Sequence, residues 1–208
     1  MKKLVFKTIA ITLVVTLCAA MITFGALSLF APKICAGFFD GVGSYSASVF
    51  FYEKQYEKTD DVKDLAILID KLDADVQPAL KEFYLEKMLL RSDFEEFCSE
   101  QDKKDHAISS KEYYNGSYAL ILAKNKRLEK ALEICSEYVK KSTYTENNPY
   151  RLILSDYADG ATIEELKEIK NSLNVRRIYL DNDEGRKLAD QDFKALDTLI
   201  QQKQETED

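Results

Sequence analysis

The chain has 208 residues, of which 46% are hydrophobic and 31% charged, with a formal net charge of −7. That length suffices for one domain with a real core, and the acidic surplus excludes a surface built to attract nucleic acid. Three Pro, seven Gly and four Cys without close pairs are too few for a many-turned sheet or a disulfide framework, so an all-α fold is predicted.

Residues 1–7 read as a short cytoplasmic tail carrying Lys2, Lys3 and Lys7. From Thr8 to Phe30 there is no charge over 23 positions, and at ~1.5 Å per residue a helix of that length spans about 35 Å, enough to cross a bilayer. A secretory signal peptide starts the same way. Cutting after Ala20, however, would leave MITFGALSLF still apolar, and cutting after Ala31 would place Pro32 just past the cut. Neither Cys18 nor Cys35 follows a small residue, as a lipoprotein site requires. The span 8–30 is therefore expected to be an uncleaved, single-pass signal anchor. Three Lys precede it and only Lys33 follows before the acidic stretch at Asp40, which predicts a cytoplasmic N-terminus and an extracytoplasmic helical domain.

The juxtamembrane segment is 31–43, and the stretch from Pro32 to Phe50 contains Gly37, Gly41, Ser44 and Ser48, two pairs of small residues at four-residue spacing. They are expected to let the first soluble helix pack closely, with a membrane dimer motif as the sharper alternative. Beyond them the apolar residues recur at helical spacing: Val62, Leu65, Ala66, Ile69 and Leu72; then Leu128, Ala131, Leu132, Cys135 and Tyr138; then Ile163, Leu166, Ile169 and Leu173. Ser92 with Glu95, Ser109 with Glu112, and Thr162 with Glu165 have the spacing of capping boxes. Several short helices are predicted, not one long coil.

A period runs through these helices. Val62, Phe94, Leu128 and Ile163 stand 32, 34 and 35 residues apart. Three positions later come Leu65, Phe97, Ala131 and Leu166; six before, Tyr56, Met88, Leu122 and Tyr157; ten before, Tyr52, Tyr84, Tyr118 and Ile153. All sixteen are apolar or aromatic. In this the chain resembles the tetratricopeptide family, whose unit is a helix, a turn and a second helix in ~34 residues. Tyr56 and Tyr157 match that family's helix-A tyrosine and Ala131 its small helix-B residue. No unit has the helix-A Trp, only Ala119 keeps the small residue there, and Leu65, Phe97 and Leu166 replace the helix-B Ala. The larger side chains should spread the paired helices or change their angle. The resemblance implies an α-α hairpin solenoid of four repeats over 44–173, followed by a linker and C-terminal capping helix in 174–203 and a frayed tail, 204–208. In the capping helix Leu188, Ala189, Phe193, Leu196 and Ile200 share one face.

Parts for chemistry are scarce. His106, the only histidine, lies in the polar stretch DKKDHAISS, so neither a zinc site nor a Ser-His-acid triad can be assembled from it. Cys98 and Cys135 fall on apolar helix faces, where Cys acts as a small hydrophobe. Asp181, Asp183 and Gly185 suggest a calcium loop, but the Gly is at the fifth place and Asp192 at the twelfth, so the match fails. Gly41-Val42-Gly43 does not follow a strand, and Asn115-Gly116-Ser117 is a glycosylation sequon only in form. Glu95, Glu96, Glu164 and Glu165 read as helix-surface charges. No catalytic residue, metal or cofactor is expected.

The function expected from this reading is a membrane-tethered protein-protein interaction module, a scaffold or adaptor, with a protein or peptide partner. The bilayer is met through the anchor, and neither a nucleic acid nor a small-molecule substrate is expected. By the resemblance, groove residues lie on the first helix of each unit, at positions held by Phe50, Lys54, Tyr113 and Arg151 on one concave face. The alternative is an envelope structural or sensory component that assembles with itself or with another membrane protein.

Overall fold

The computed structural model of the chain describes residues 2–103, 110–141, 144–145, 148–180 and 182–207. The described residues are helices and turns without a strand. Two compact units are formed, Met1–Lys71 and Leu72–Asp208.

The first unit contains α1 (Lys2–Phe30), α2 (Pro32–Gly41), α3 (Tyr45–Thr59) and α4 (Val62–Lys71). Among the described residues, one stretch is long and apolar enough to cross a membrane: Thr12–Phe30 in α1, 19 residues of mean hydropathy 2.3. The helix ends because Pro32 has no N–H to donate to the preceding turn. Pro32 instead takes the first position of α2, where no donor is needed, and Ala31 bends the chain with φ −141° and ψ 59°. Pro78 and Pro149 open helices in the same way, so each of the three prolines marks a helix start.

Between α2 and α3 the chain turns at Gly43, whose φ of +73° suits a residue without a Cβ. Between α3 and α4 it turns at Asp60, a non-glycine residue at φ 46°. Asp61 then caps α4 by accepting the Lys63 N–H at 2.6 Å. The interior of α2 and α3 is Cys35, Ala36 and Phe51, with Phe39 and Tyr52 against them. On α4, Leu65, Leu68 and Ile69 are fully buried, each contributing about 1.5–3 kcal/mol of apolar burial. Of the four small residues expected to pack closely, Ser48 is buried and Ser44 half-buried, but Gly37 and Gly41 are exposed with nothing near a Cβ position, and it is Cys35 and Ala36 that turn inward beside them.

The second unit contains α5 (Pro78–Leu89), α6 (Phe94–Asp102), α7 (Ser110–Lys124), α8 (Leu128–Lys141), α9 (Pro149–Asp156), a 3-10 turn at Ala158–Gly160, α10 (Ile163–Arg177) and α11 (Asp183–Glu207). Helix α7 packs on α5, α6, α8 and α9; α8 also meets α9 and α10, and α10 meets α11. Gly116 lets α9 come close, since a Cβ there would lie 2.5 Å from Leu152 Cδ1. The helix starts follow the period: Val62, Phe94, Leu128 and Ile163 are the first residues of α4, α6, α8 and α10. Thirteen of the sixteen periodic positions are buried, and Tyr52, Val62 and Tyr157 are half-buried.

The caps are mixed. Thr162 and Glu165 form the full capping box of α10, each side chain bonded to the other's backbone N–H. Ser92 and Glu95 do not: α6 starts one residue later than that box requires, with Asp93 at the cap position and its carboxylate held by Arg91 at 2.7 and 2.9 Å. Ser109 lies outside the described residues, as do His106 and Asp181. Helix α11 runs to Glu207, past residue 203 where the sequence pattern ends it.

Candidate functional site

Phe50 and Lys54 stand one helical turn apart on α3, so their side chains share a face. Phe50 is 49% exposed, and the Lys54 ammonium lies 5.8 Å from its ring centroid while also pairing with Glu57 at 2.6 Å. This is an aromatic ring with a cation held over it, open to solvent.

Tyr113 is on α7 and 39% exposed, its ring edge-to-face with buried Tyr114 at 5.1 Å. Neighbouring side chains on a helix point about 100° apart, which separates the pair. Tyr114 faces Phe94 and Phe97 of α6, and Tyr113 is left at the surface. Arg151, on α9, is only a quarter exposed. Its Nε is 3.1 Å from Oδ2 of Asp192 on α11, and the buried Tyr144 hydroxyl donates to the same oxygen at 2.8 Å. Burial raises the Asp192 pKa, while the Tyr144 hydrogen bond and the Arg151 charge oppose that rise. All four candidates therefore lie on first helices of the periodic hairpins, Phe50 and Lys54 in one unit and Tyr113 and Arg151 in the other.

Sequence reasoning missed a groove between α8 and α10, of about 660 Å³. Glu129, Lys130 and Glu133 of α8 face Glu168, Asn171 and Arg176 of α10 across it. Glu129 and Lys130 stand four and three residues before Glu133, and Asn171 stands three after Glu168 and five before Arg176, so each set lies along one side of its helix. Nothing in a polar stripe announces that a second one lies opposite. Below the rim the Tyr150 hydroxyl and Ser172 Oγ are 2.6 Å apart.

The cysteines of the domain are packed away. Burial pushes the Cys98 thiol up to about 12, with Asp102 and Glu95 adding to the effect, and burial raises that of Cys135 too. A thiol so placed is protonated at neutral pH and a poor nucleophile. Among the described residues no three His, Cys, Asp or Glu side chains converge as a metal ion would need. Gly185 has another use than a calcium loop. Asn182 Oδ1 accepts its N–H at the start of α11, and a Cβ there would sit 3.2 Å from both N and O of Tyr144.

Comparison with known protein families, with curated proteins and with solved structures gave no match.

Proposed function

We propose that the chain is a protein-protein interaction module of tetratricopeptide-like hairpins, tethered by α1 as a single-pass membrane anchor with its N-terminus in the cytoplasm. The observation that carries this reading is the coincidence of period and structure. Four helices begin at the four residues of one periodic column, and every one of the sixteen periodic positions is at least half-buried. An array of equivalent hairpins spends its apolar residues on its neighbours and leaves its other faces free to vary, which is how repeat domains carry binding surfaces.

The packing in the second unit supports the same reading. Each first helix from α5 to α9 touches the next first helix, and α6 and α8 each touch the first helix that follows them. Recognition is assigned to the first-helix residues Phe50, Lys54 and Tyr113, while Arg151, whose charge is met by Asp192, holds its helix in place. Exposed rings beside cations suit an acidic, aromatic-bearing segment of another protein.

The test is capture of partners by the full chain, crosslinked in its membrane, with and without Lys54→Glu and Tyr113→Ala. Both side chains are exposed, so the fold should survive. Loss of specific crosslinked partners is expected. The same partners at the same yield would remove this face, and products that are only multiples of the chain's own mass would favour a self-assembling envelope component.

A further inference from the structure

Helix α2 has two apolar sides. Pro32, Cys35, Ala36 and Phe39 turn toward the first unit's interior. On the opposite side Ile34 and Phe38, continued by Val42 at the cap just past the helix end, are 61%, 59% and 61% exposed, with exposed Gly37 and Gly41 between them. The spacing of three and four makes this a continuous stripe along the helix. It contains no charge. Asp40 lies off the stripe and is occupied by Lys71, Ser48 and Tyr52.

The position of this stripe relative to α1 follows from three rings. Along one straight helix Phe24 and Phe39 would be about 22 Å apart at ~1.5 Å per residue. Instead their ring centroids are 6.0 Å apart, and Phe24 is also 6.0 Å from Phe51 of α3. The chain has therefore folded back at Ala31, and α2 lies beside the last two turns of α1. The Lys58 ammonium, donating to the Phe30 carbonyl at 2.6 Å, closes the same joint. A bilayer that accepts α1 as far as Phe30 must meet α2 as well, because Phe24 is about 9 Å inside that end at ~1.5 Å per residue. Interfacial helices bury their apolar face about 5–10 Å into the boundary between headgroups and acyl chains, which fits this depth.

We propose that the Ile34–Phe38–Val42 face of α2 is a second membrane contact, lying in the headgroup-acyl boundary of the leaflet where α1 ends. The inference rests on the reading of α1 as an anchor and adds to it. The hydrocarbon edge then meets α1 nearer Phe24 than Phe30, and the last turns of α1 belong to the outward-facing part of the first unit. Lys33 and Lys58 stand beside the end of α1 with their ammonium groups held by Asp64 and the Phe30 carbonyl, and their exposed sides meet the phosphate layer, where cations with long apolar stems are favoured.

The chain contains no Trp, so one substitution supplies a unique fluorescent reporter. Phe38→Trp, Val42→Trp and Met21→Trp replace exposed side chains and would each be made in the full chain, reconstituted in phosphatidylcholine vesicles whose lipids carry bromine at shallow or deep acyl positions. Met21→Trp, near the middle of the span, should be quenched most by deep bromines. Phe38→Trp and Val42→Trp should emit at shorter wavelength than in water and lose most of their emission to shallow bromines. Water-like, unquenched emission at 38 and 42 with Met21→Trp quenched would overturn the second contact and leave the anchor standing. Blue-shifted but unquenched emission at 38 and 42 would mean that protein, such as a second copy, covers the stripe, and would also overturn it. An unquenched Met21→Trp would instead remove the anchor itself.

Discussion

Asp64 shows how one side chain ties the first unit together. Its carboxylate accepts from Gln55 and Thr59 of α3, both at 2.9 Å, and from Lys33 of α2 at 3.2 Å. Burial alone would raise its pKa, but these three hydrogen bonds outweigh it and hold the group below the ordinary carboxylate value. Between the folded and unfolded values the folded protein binds fewer protons, so this contribution is complete at neutral pH and is lost as the pH falls through the folded value. Asp64→Asn should cost about 1–3 kcal/mol near pH 7. Melts followed by circular dichroism in detergent should show the gap between variant and parent narrowing in acid. Asp192 has the opposite sign: its raised pKa means that acid favours the folded state there. Arg151→Ala should therefore destabilise at neutral pH by about 1–3 kcal/mol, with the loss shrinking as Asp192 takes up a proton. Neither network was legible in the sequence. Asp64 sits among the apolar residues of α4 and Arg151 pairs across 41 residues of chain, and only the fold decides which distant donors arrive.

At the scale of the element, the helix starts were the most legible feature and their caps the least. A large residue that opens a helix and is buried repeats at Phe94, Leu128 and Ile163, and Phe94 packs edge-to-face on Tyr114 of the helix that follows it. Phe94→Asp and Leu128→Asp should each lower stability by several kcal/mol, toward the upper end of single-residue effects, since an unpaired charge would be buried. Lys187→Ala, on the exposed side of α11, should stay within about 0.5 kcal/mol of the parent when all three variants are titrated with urea. The Ser92 box failed because Arg91 and Asp93 neutralise each other at the very position a cap would take. The outward turn of Gly37 and Gly41 was missed for a different reason. Small residues fit a tight interface, and they equally fit a face that a bulkier neighbour such as Phe38 dominates.

For the whole molecule, helix content and the apolar N-terminal helix could be read from composition and charge pattern, whereas the division at Lys71 could not. The 32-residue step from Val62 to Phe94 continues the period straight across that boundary, so periodicity does not reveal it. Orientation is the property best tested here. With the native Cys replaced, Thr206→Cys on the exposed end of α11 should react with a membrane-impermeant thiol reagent in intact cells. Labelling only after lysis would reverse the orientation, and release of the protein into the medium would mean that α1 is cut.

The joint at Ala31 has a mechanical consequence. One residue separates α1 from α2, and Phe24, Phe39, Phe51 and Lys58 clamp the two helices from several sides. A domain on a slack stalk tumbles nearly as it would in free solution. Here the first unit has no such slack and must turn as one body with α1. In a bilayer its motion reduces to a slow spin about the span, at the pace that lipid viscosity allows. Anything approaching from the aqueous side would meet the same aspect of that unit at every encounter.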